Sequence, residues 1–232
     1  MTVIDDREAE ATRRPRQRGT LSREEIVAAG LQIARTDDLN SLTMKKLADA
    51  LHVTPMAVYR HFENKAEIVD AVLDQIVHSS NPTDHGIDPA DWQGWTRATF
   101  LRIHQSFVET PGAMGMIDAL SRFGPGLLKV LDEILSVLTR AGFTNKQAVD
   151  AIAALIAITF GSLTIDTFRD RSVDEIMKSL EQTAATLDDG QSIEAAYPAL
   201  IGAAEDLLNT RNKSSVELSL DLMISSIARW LD

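Results

Sequence analysis

Apolar residues recur at intervals of three and four positions along most of this chain, and no stretch of strand length alternates apolar with polar residues. That spacing gathers the apolar side chains on one face of a helix. Clusters of Gly, Pro, Asn and Asp interrupt the pattern and mark turns. The sequence therefore predicts an all-α fold without internal repeats. After four helices in the first third of the chain, helices are expected at about 92–109, 114–122, 125–141, 145–168, 172–186, 193–209 and 214–231.

Each of the first four helices begins with a capping signal. Ser22 and Glu25 have the spacing of a capping box, in which each side chain accepts the backbone N–H of the other residue. Pro55 follows a threonine at a first helical position, where its missing N–H is no loss. These signals predict three short helices and a longer fourth over about 65–77. The expected N-caps are Ser22, Thr43, Thr54 and Asn64, the last with Glu67 at N3.

The second and third helices are separated by a tight turn at His52 and Val53. The third is too polar to be buried, and only Val58 and Phe62 face the core. This pattern predicts a helix-turn-helix over 43–62 whose second helix can enter a DNA major groove. Such turns often place Gly where this chain has His52, but His is among the few other residues that tolerate a left-handed backbone.

The formal net charge of −11 argues at first against a nucleic-acid partner. Its distribution reverses that argument. Residues 13–62 carry nine Lys and Arg against five Asp and Glu, whereas residues 63–232 carry thirteen against twenty-five. An acidic body would turn the basic segment toward the phosphates.

The side-chain chemistry of the helix-turn-helix suits groove reading. Arg60 can pair with guanine edges or phosphate, Met56 and Ala57 can touch thymine methyl groups, and Tyr59 and His61 can donate to phosphates. The alternative is a solvated surface on a small three-helix unit. The residues expected to contact DNA are Thr43, Lys45, Lys46, Thr54, Pro55, Met56, Ala57, Tyr59, Arg60, His61 and Lys65.

Residues 1–19 have no periodicity and carry four arginines around Pro15. Two interpretations stay open: a disordered tail, or a basic arm that follows phosphates or enters a minor groove. A loop over 79–91 marks the expected boundary, which divides the chain into an arm (1–19), a DNA-binding domain (20–80) and an effector-binding and dimerisation domain (81–232).

Residues from about 20 to 66, about a fifth of the chain, resemble the DNA-binding domain of TetR-type transcriptional regulators. The matching positions are Ile26, Ala28, Ala29, Leu31, 42–48, Val53, 57–62, Asn64 and Lys65. The resemblance implies a homodimeric, ligand-released repressor with one recognition helix per subunit in successive major grooves. Carried over by position, Thr43, Lys45, Tyr59, His61 and Lys65 would hold phosphates, while residues 54–57 and Arg60 would approach bases.

Two helices of the second domain, 145–168 and 214–231, are apolar nearly all round. Unpaired, they would expose a large apolar patch, so they predict a homodimer interface; a buried monomer core is the alternative. The arrangement is similar to the two-helix-per-subunit bundle of the subgroup that includes the tetracycline repressor.

An effector pocket is expected among the helices that begin near residues 65, 92, 114, 125 and 145. Its expected lining is Trp92, Trp95, Phe100, His104, Phe107, Met114, Met116, Phe123, Phe160 and Phe168, although such residues more often form plain core. Neither His78, His85 nor His104 belongs to an i, i+4 metal pair, so no metal or other cofactor is expected.

The sequence as a whole favours a ligand-responsive repressor that binds a palindromic operator as a dimer and is released by a small, largely apolar effector. The alternative is a helical small-molecule-binding protein without specific DNA binding. The sequence contains none of the common catalytic motifs, which argues against a helical hydrolase. No Cys, no apolar N-terminal segment and a longest uncharged run of 15 residues predict a soluble, cytoplasmic, non-membrane protein.

Overall fold

The computed structural model describes residues 21–36, 42–117, 119–169, 178, 182–183, 193–203 and 215–231, without the side chains of 165–169, 193–194 and 215. Every regular element in these ranges is helical. In chain order they are α1 (Arg23–Thr36), α2 (Met44–Ala50), α3 (Pro55–Tyr59), α4 (Lys65–Ser80), α5 (Trp92–Val108), a 3₁₀ turn (Pro111–Ala113), α6 (Met114–Ile117), α7 (Pro125–Arg140), α8 (Asn145–Arg169), α9 (Ile193–Ala196), α10 (Pro198–Gly202) and α11 (Ser215–Ala228).

The chain divides into two compact units. Unit 1 comprises Met1–Ser79 and Glu109–Leu127, and unit 2 comprises Ser80–Val108 and Leu128–Asp232. The chain therefore passes between the units three times, whereas the sequence suggested one boundary near residue 80. Helix α7 begins in unit 1 and continues in unit 2.

Three of the four expected N-caps form the predicted side-chain hydrogen bonds. Ser22 and Glu25 exchange backbone-to-side-chain hydrogen bonds of 3.0 and 3.2 Å. Thr43 Oγ1 accepts the N–H of Lys46 at 3.1 Å, and Asn64 Oδ1 accepts that of Glu67 at 3.0 Å. Thr54 also occupies the predicted N-cap position, with extended backbone, but its side chain makes no capping hydrogen bond. Pro55 offers no N–H, and the Thr54 carbonyl instead accepts the N–H of Ala57.

The expected helices over 92–109, 125–141, 145–168 and 214–231 are present within three residues at each end. The one expected at 114–122 ends at Ile117, and further on the Ser121 N–H is donated to the Asp70 carboxylate. The one expected at 193–209 is interrupted, because Pro198 cannot donate and disfavours helical geometry at Tyr197. Residues 204–209, and 172–186 apart from 178, 182 and 183, lie outside the described residues.

The core of unit 1 is formed by apolar side chains from all four of its first helices. Phe62, Ile26, Leu42, Leu47 and Ile68 are fully buried in it. Gly30 lets α1 approach α4, since a Cβ at this position would lie 2.8 Å from Val72 Cγ2. In unit 2, α8 packs against α5 and α11, which makes it the central helix of that unit.

A loop in unit 2 is held to α5 by the imidazole of His85, and the hydrogen bonds of this ring fix its tautomer. Thr99 Oγ1 donates to the Trp95 carbonyl at 2.9 Å, so it accepts from His85 Nε2–H at 3.1 Å. His85 Nδ1 in turn accepts the N–H of Ile87. Burial, and then the positive charge of Arg102, lower the pKa of His85 below its ordinary value of 6.5. The ring is therefore neutral at neutral pH.

Unit 2 is expected to lose stability as the pH falls below about 6.5, because the unfolded chain then binds a proton at His85 that the folded loop does not. The difference in Tm between about pH 7.5 and about pH 5.5 should be larger for the native protein than for His85→Gln, whose amide can still donate to Thr99 but does not titrate. Equal pH dependence of the two melting curves would contradict this assignment.

Candidate nucleic-acid interface

The turn between α2 and α3 closes with a left-handed residue, as the sequence predicts. His52 has φ of 54°. The N–H of Val53 donates to the Ala48 carbonyl at 2.9 Å, and that of His52 to the Asp49 carbonyl at 3.2 Å. These two bonds form a Schellman motif, which satisfies the last carbonyls of α2 and turns the chain sharply into α3.

This turn presents one face of α3 to solvent. Val58 and Phe62 point inward and are 0% and 1% exposed, as expected. On the outer side Met56 is 66% and Tyr59 48% exposed, and Thr54, Pro55 and Arg60 are exposed as well. Ala57 and His61 are half-buried, so they are less exposed than the sequence predicts.

Other residues expected to contact DNA lie at the starts of α2 and α4. Thr43 and Lys45 are exposed at the start of α2, while Lys46 and Lys65 are half-buried. Lys65 opens α4, where positive side chains and the helix N-terminus favour an anion. The eleven expected DNA contacts remain predictions, and the arm of residues 1–19 lies outside the described residues.

The sequence did not indicate the role of Arg23, which stabilises the residues at the end of this face. Its Nη1 donates to the His61 carbonyl at 2.8 Å, and its guanidinium carbon lies 3.9 Å from the centroid of the Phe62 ring. The partners are 38 positions apart, so no local pattern could have paired them. Arg23 thus ties the first turn of α1 to the residues that follow α3.

A second missed feature joins α4 to residues 121–127, and we call it the α4 clasp. It begins with Asp70, which is buried and accepts the N–H and the hydroxyl of Ser121 at 2.8 and 2.6 Å. Burial alone would raise the pKa of Asp70, but the hydrogen bonds from Ser121 and the charge of Arg122 outweigh it and lower that pKa. The same Arg122 forms a 2.8 Å ion pair with Glu67.

The clasp ends at Asp74, which caps α7 from another helix. Its carboxylate accepts the N–H of Leu127 at 2.7 Å and that of Gly126 at 3.3 Å. Gly124 and Gly126 permit the approach: a Cβ on Gly124 would collide with Asp74, and one on Gly126 would lie 2.9 Å from His78 Cβ. The first turn of α7 is therefore fixed to the middle of α4.

The ten residues expected to line one effector pocket belong to both units. Within unit 2, Phe107 and Phe160 meet edge to face at 4.8 Å, and Trp92 meets Phe143, which the sequence did not suggest. Phe123 belongs to unit 1 and is 58% exposed. Trp95, Phe100, His104 and Phe107 are buried in unit 2, Met114 and Met116 belong to unit 1, and the side chain of Phe168 lies outside the described residues. Their role as ligand contacts remains a prediction.

Polar atoms also occur in the interior of unit 2. Thr96 is fully buried on α5, and its Oγ1 has no hydrogen-bond partner. A buried hydroxyl without a partner is costly to the folded state. Within the described ranges no group of three or more His, Cys, Asp or Glu could hold a metal ion.

Helices α8 and α11 expose an apolar surface, which we call the α8–α11 face. Val149 and Ile156 on α8 are 55% and 37% exposed, and Leu218 and Leu222 on α11 are 57% and 65% exposed. The space around Gly161 is open. By length and composition alone, Asn145–Thr164 could also cross a membrane, but it is the helix against which α5 and α11 pack.

An outward α3 after a helix-turn-helix turn, on the basic segment of the chain, together with a separate helical unit, defines a two-domain helix-turn-helix regulator. Residues 26–72 match the model of the bacterial regulatory proteins of the tetR family, and residues 86–231 match that of the tetracycline-repressor-like C-terminal domain. The chain belongs to the TetR family and is a DNA-binding transcriptional regulator.

Known relatives agree with this assignment. An HTH-type transcriptional regulator of Saccharopolyspora erythraea is 25% identical over 188 residues, which cover 81% of this chain and 76% of the relative. The class A tetracycline repressor from transposon 1721 of Escherichia coli is 28% identical over 160 residues, 68% of this chain and 72% of the repressor. The crystal structure of ActR from Streptomyces coelicolor in complex with actinorhodin shares the fold, with a TM-score of 0.74 at 18% identity over 91% of this chain and 98% of ActR.

Proposed function

We propose that this protein is a cytoplasmic, non-catalytic repressor that binds a palindromic operator as a homodimer and leaves it when a small, largely apolar effector enters unit 2. The observation that carries the proposal is the orientation of α3: Tyr59 and Arg60 face solvent while Val58 and Phe62 anchor the helix from below. A helix so held can insert its outer side chains between two phosphate backbones.

The α8–α11 face supports the dimer. Its exposed leucines and its open glycine suit a four-helix contact between two copies, in which each copy covers the apolar side chains of the other. Two recognition helices related by a twofold axis would read two half-sites about one helical turn of DNA, roughly 34 Å, apart.

The α4 clasp supports the coupling of effector and operator. Helix α4 begins at Lys65 beside the proposed DNA contacts, and Asp74 fixes the first turn of α7, which continues in unit 2. An effector that favours one position of α7 would therefore bias α4 and, through it, α3. A ten-fold change in operator affinity needs only about 1.4 kcal/mol of differential effector binding.

The direct test is selection of duplexes from a random pool by the purified full-length protein. A palindromic consensus bound by one dimer at physiological salt is the expected result. If no sequence is enriched over random DNA, the proposal is overturned. The result would then favour a helical small-molecule-binding protein without specific DNA binding.

Arg60→Ala should weaken binding to the selected operator by about 1–3 kcal/mol, or about 5- to 150-fold, while the dimer stays intact. The matched control is Arg140→Ala, which removes an exposed arginine at the end of α7. Gel-shift titrations on operator and on random duplex separate two roles for Arg60. Equal losses on both would make it a phosphate contact rather than a base contact.

A further inference from the structure

Unit 1 contains a cleft of about 740 Å³ between α1, α4 and residues 122–125. Small-molecule sites in proteins occupy about 300–1,000 Å³. The floor is apolar, with Val27, Ala28 and Leu31 from α1 and Ala71 from α4. Because Ala28 and Ala71 carry only methyl groups, the facing helices leave this side of their contact unfilled.

One wall of the cleft is an exposed aromatic ring. Phe123 lines the cleft and is 58% exposed, whereas Phe62 and Phe100 are about 1% exposed. An aromatic side chain beside an apolar floor offers a planar ligand a surface on which to stack.

The charges around the cleft are unbalanced. Four carboxylates line it, from Glu24, Glu67, Asp70 and Asp74, against the two guanidinium groups of Arg23 and Arg122. The N–H of Glu63 and then Arg122 lower the pKa of Glu67, as Ser121 and Arg122 do for Asp70, so both carboxylates are ionised at neutral pH.

Both guanidinium groups already have partners. Arg23 donates to the His61 carbonyl, and Arg122 pairs with Glu67, with Asp70 3.9 Å away. Asp74 accepts one N–H on each oxygen, whereas an ionised carboxylate offers about four lone-pair sites. The carboxylate oxygens of the cleft can therefore accept further hydrogen bonds.

We infer that this cleft is a second ligand site, in the DNA-binding unit itself, for a small organic cation that carries an ammonium group on an aromatic or alkyl body. The body lies on the floor formed by Ala28, Leu31 and Ala71 and against Phe123. The ammonium group donates to the carboxylates of the rim. An anion of the same shape is repelled by the net negative charge, and a neutral analogue lacks the charge-assisted hydrogen bonds.

The test uses three probes of one shape and different charge: 1-naphthylmethylammonium, 1-naphthylmethanol and 1-naphthoate. The full-length protein is labelled at its alanine methyl groups and titrated by NMR. We expect the cation to shift the Ala28 and Ala71 signals with a Kd of about 1 mM, as its size allows. It should bind about ten-fold more tightly than the alcohol at low salt, and this preference should shrink at high salt. Equal affinity of the three probes would overturn the inference.

Two substitutions locate the site. Ala71→Leu fills the floor of the cleft and should weaken binding of the cation by about ten-fold or more. Ala50→Leu, at an exposed alanine of α2, should leave that binding unchanged. Phe123→Ala should weaken it several-fold, and Tyr197→Ala, which removes another exposed aromatic ring, should leave it unchanged. If Ala71→Leu does not fold, Phe123→Ala decides. Native affinity in Phe123→Ala, or shifts confined to alanines outside the cleft, would overturn the inference.

Another occupant is distinguished by the same titration. The chain has its own cationic segment in Arg13, Arg14, Arg16 and Arg18. If replacing these four by Gln raises the affinity of the probe, the cleft belongs to that segment and the small-cation site is refuted. Unchanged affinity supports it. Neither result depends on operator binding, so the proposed repressor function stands or falls separately.

Discussion

Leu222→Asp should convert the protein into folded monomers and reduce operator affinity by about 100-fold or more. Leu222 is 65% exposed on α11 and lies on the α8–α11 face. A carboxylate there costs nothing in the separate protomer, but in an apolar contact between two copies it would be desolvated without a partner. Two separate monomers then bind the two half-sites independently, and the gain in affinity that comes from linking the two DNA-binding units in one dimer is lost.

Sedimentation velocity and gel shift on the selected operator measure both effects, and circular dichroism confirms that the variant is folded. Leu200→Asp is the matched control, because Leu200 is a 42% exposed leucine on α10, which is not one of the two helices that form this face. A Leu222→Asp protein that sediments as a dimer and binds operator normally would show that the two copies associate through another surface.

Asp74→Ala should leave operator binding within about three-fold of the native value but abolish its communication with unit 2. The three tryptophans of the chain, Trp92, Trp95 and Trp230, all belong to unit 2. If the proposed coupling exists, operator bound by unit 1 must alter unit 2, because linkage between two binding sites is reciprocal. Tryptophan emission then reports coupling before any effector is known.

The native protein should change its tryptophan emission when operator is added, but not with random duplex at low occupancy. Asp74→Asn should keep most of this change, since its one amide oxygen can still accept the N–H of Leu127, which forms the shorter of the two bonds at 2.7 Å. Glu133→Ala, which removes a carboxylate from the surface of α7, should keep it too. A full response in folded Asp74→Ala would show that the clasp does not carry the signal. Operator binding without any response in the native protein would refute the coupling itself.

Features that depend on neighbours within a few residues could be predicted from the sequence. The reciprocal bonds of Ser22 and Glu25, the Thr43 cap and the left-handed His52 are set by residues within one turn of each other. The helix-turn-helix follows from these signals and from the inward spacing of Val58 and Phe62. The family assignment was correct for the same reason, because its motif lies in this locally determined segment.

Features that depend on distant residues could not be predicted. Asp70 and Ser121 are 51 positions apart, and Asp74 and Leu127 are 53 apart, so the carboxylates of α4 looked like an ordinary solvated face. For the same reason, residues 109–127 were expected in the second domain although they pack in unit 1. Phe123 looked like part of a buried pocket because its sequence neighbours do not show that the chain leaves it exposed.

The discontinuity of unit 1 has a consequence for building chimeric regulators. A graft that joins residues 1–79 to a foreign sensor would leave Asp70 buried without Ser121 and would leave Asp74 without the helix end that it caps. A chimera that keeps this DNA specificity must therefore include residues 109–127 as well as residues 1–79, as two separate segments of the same chain.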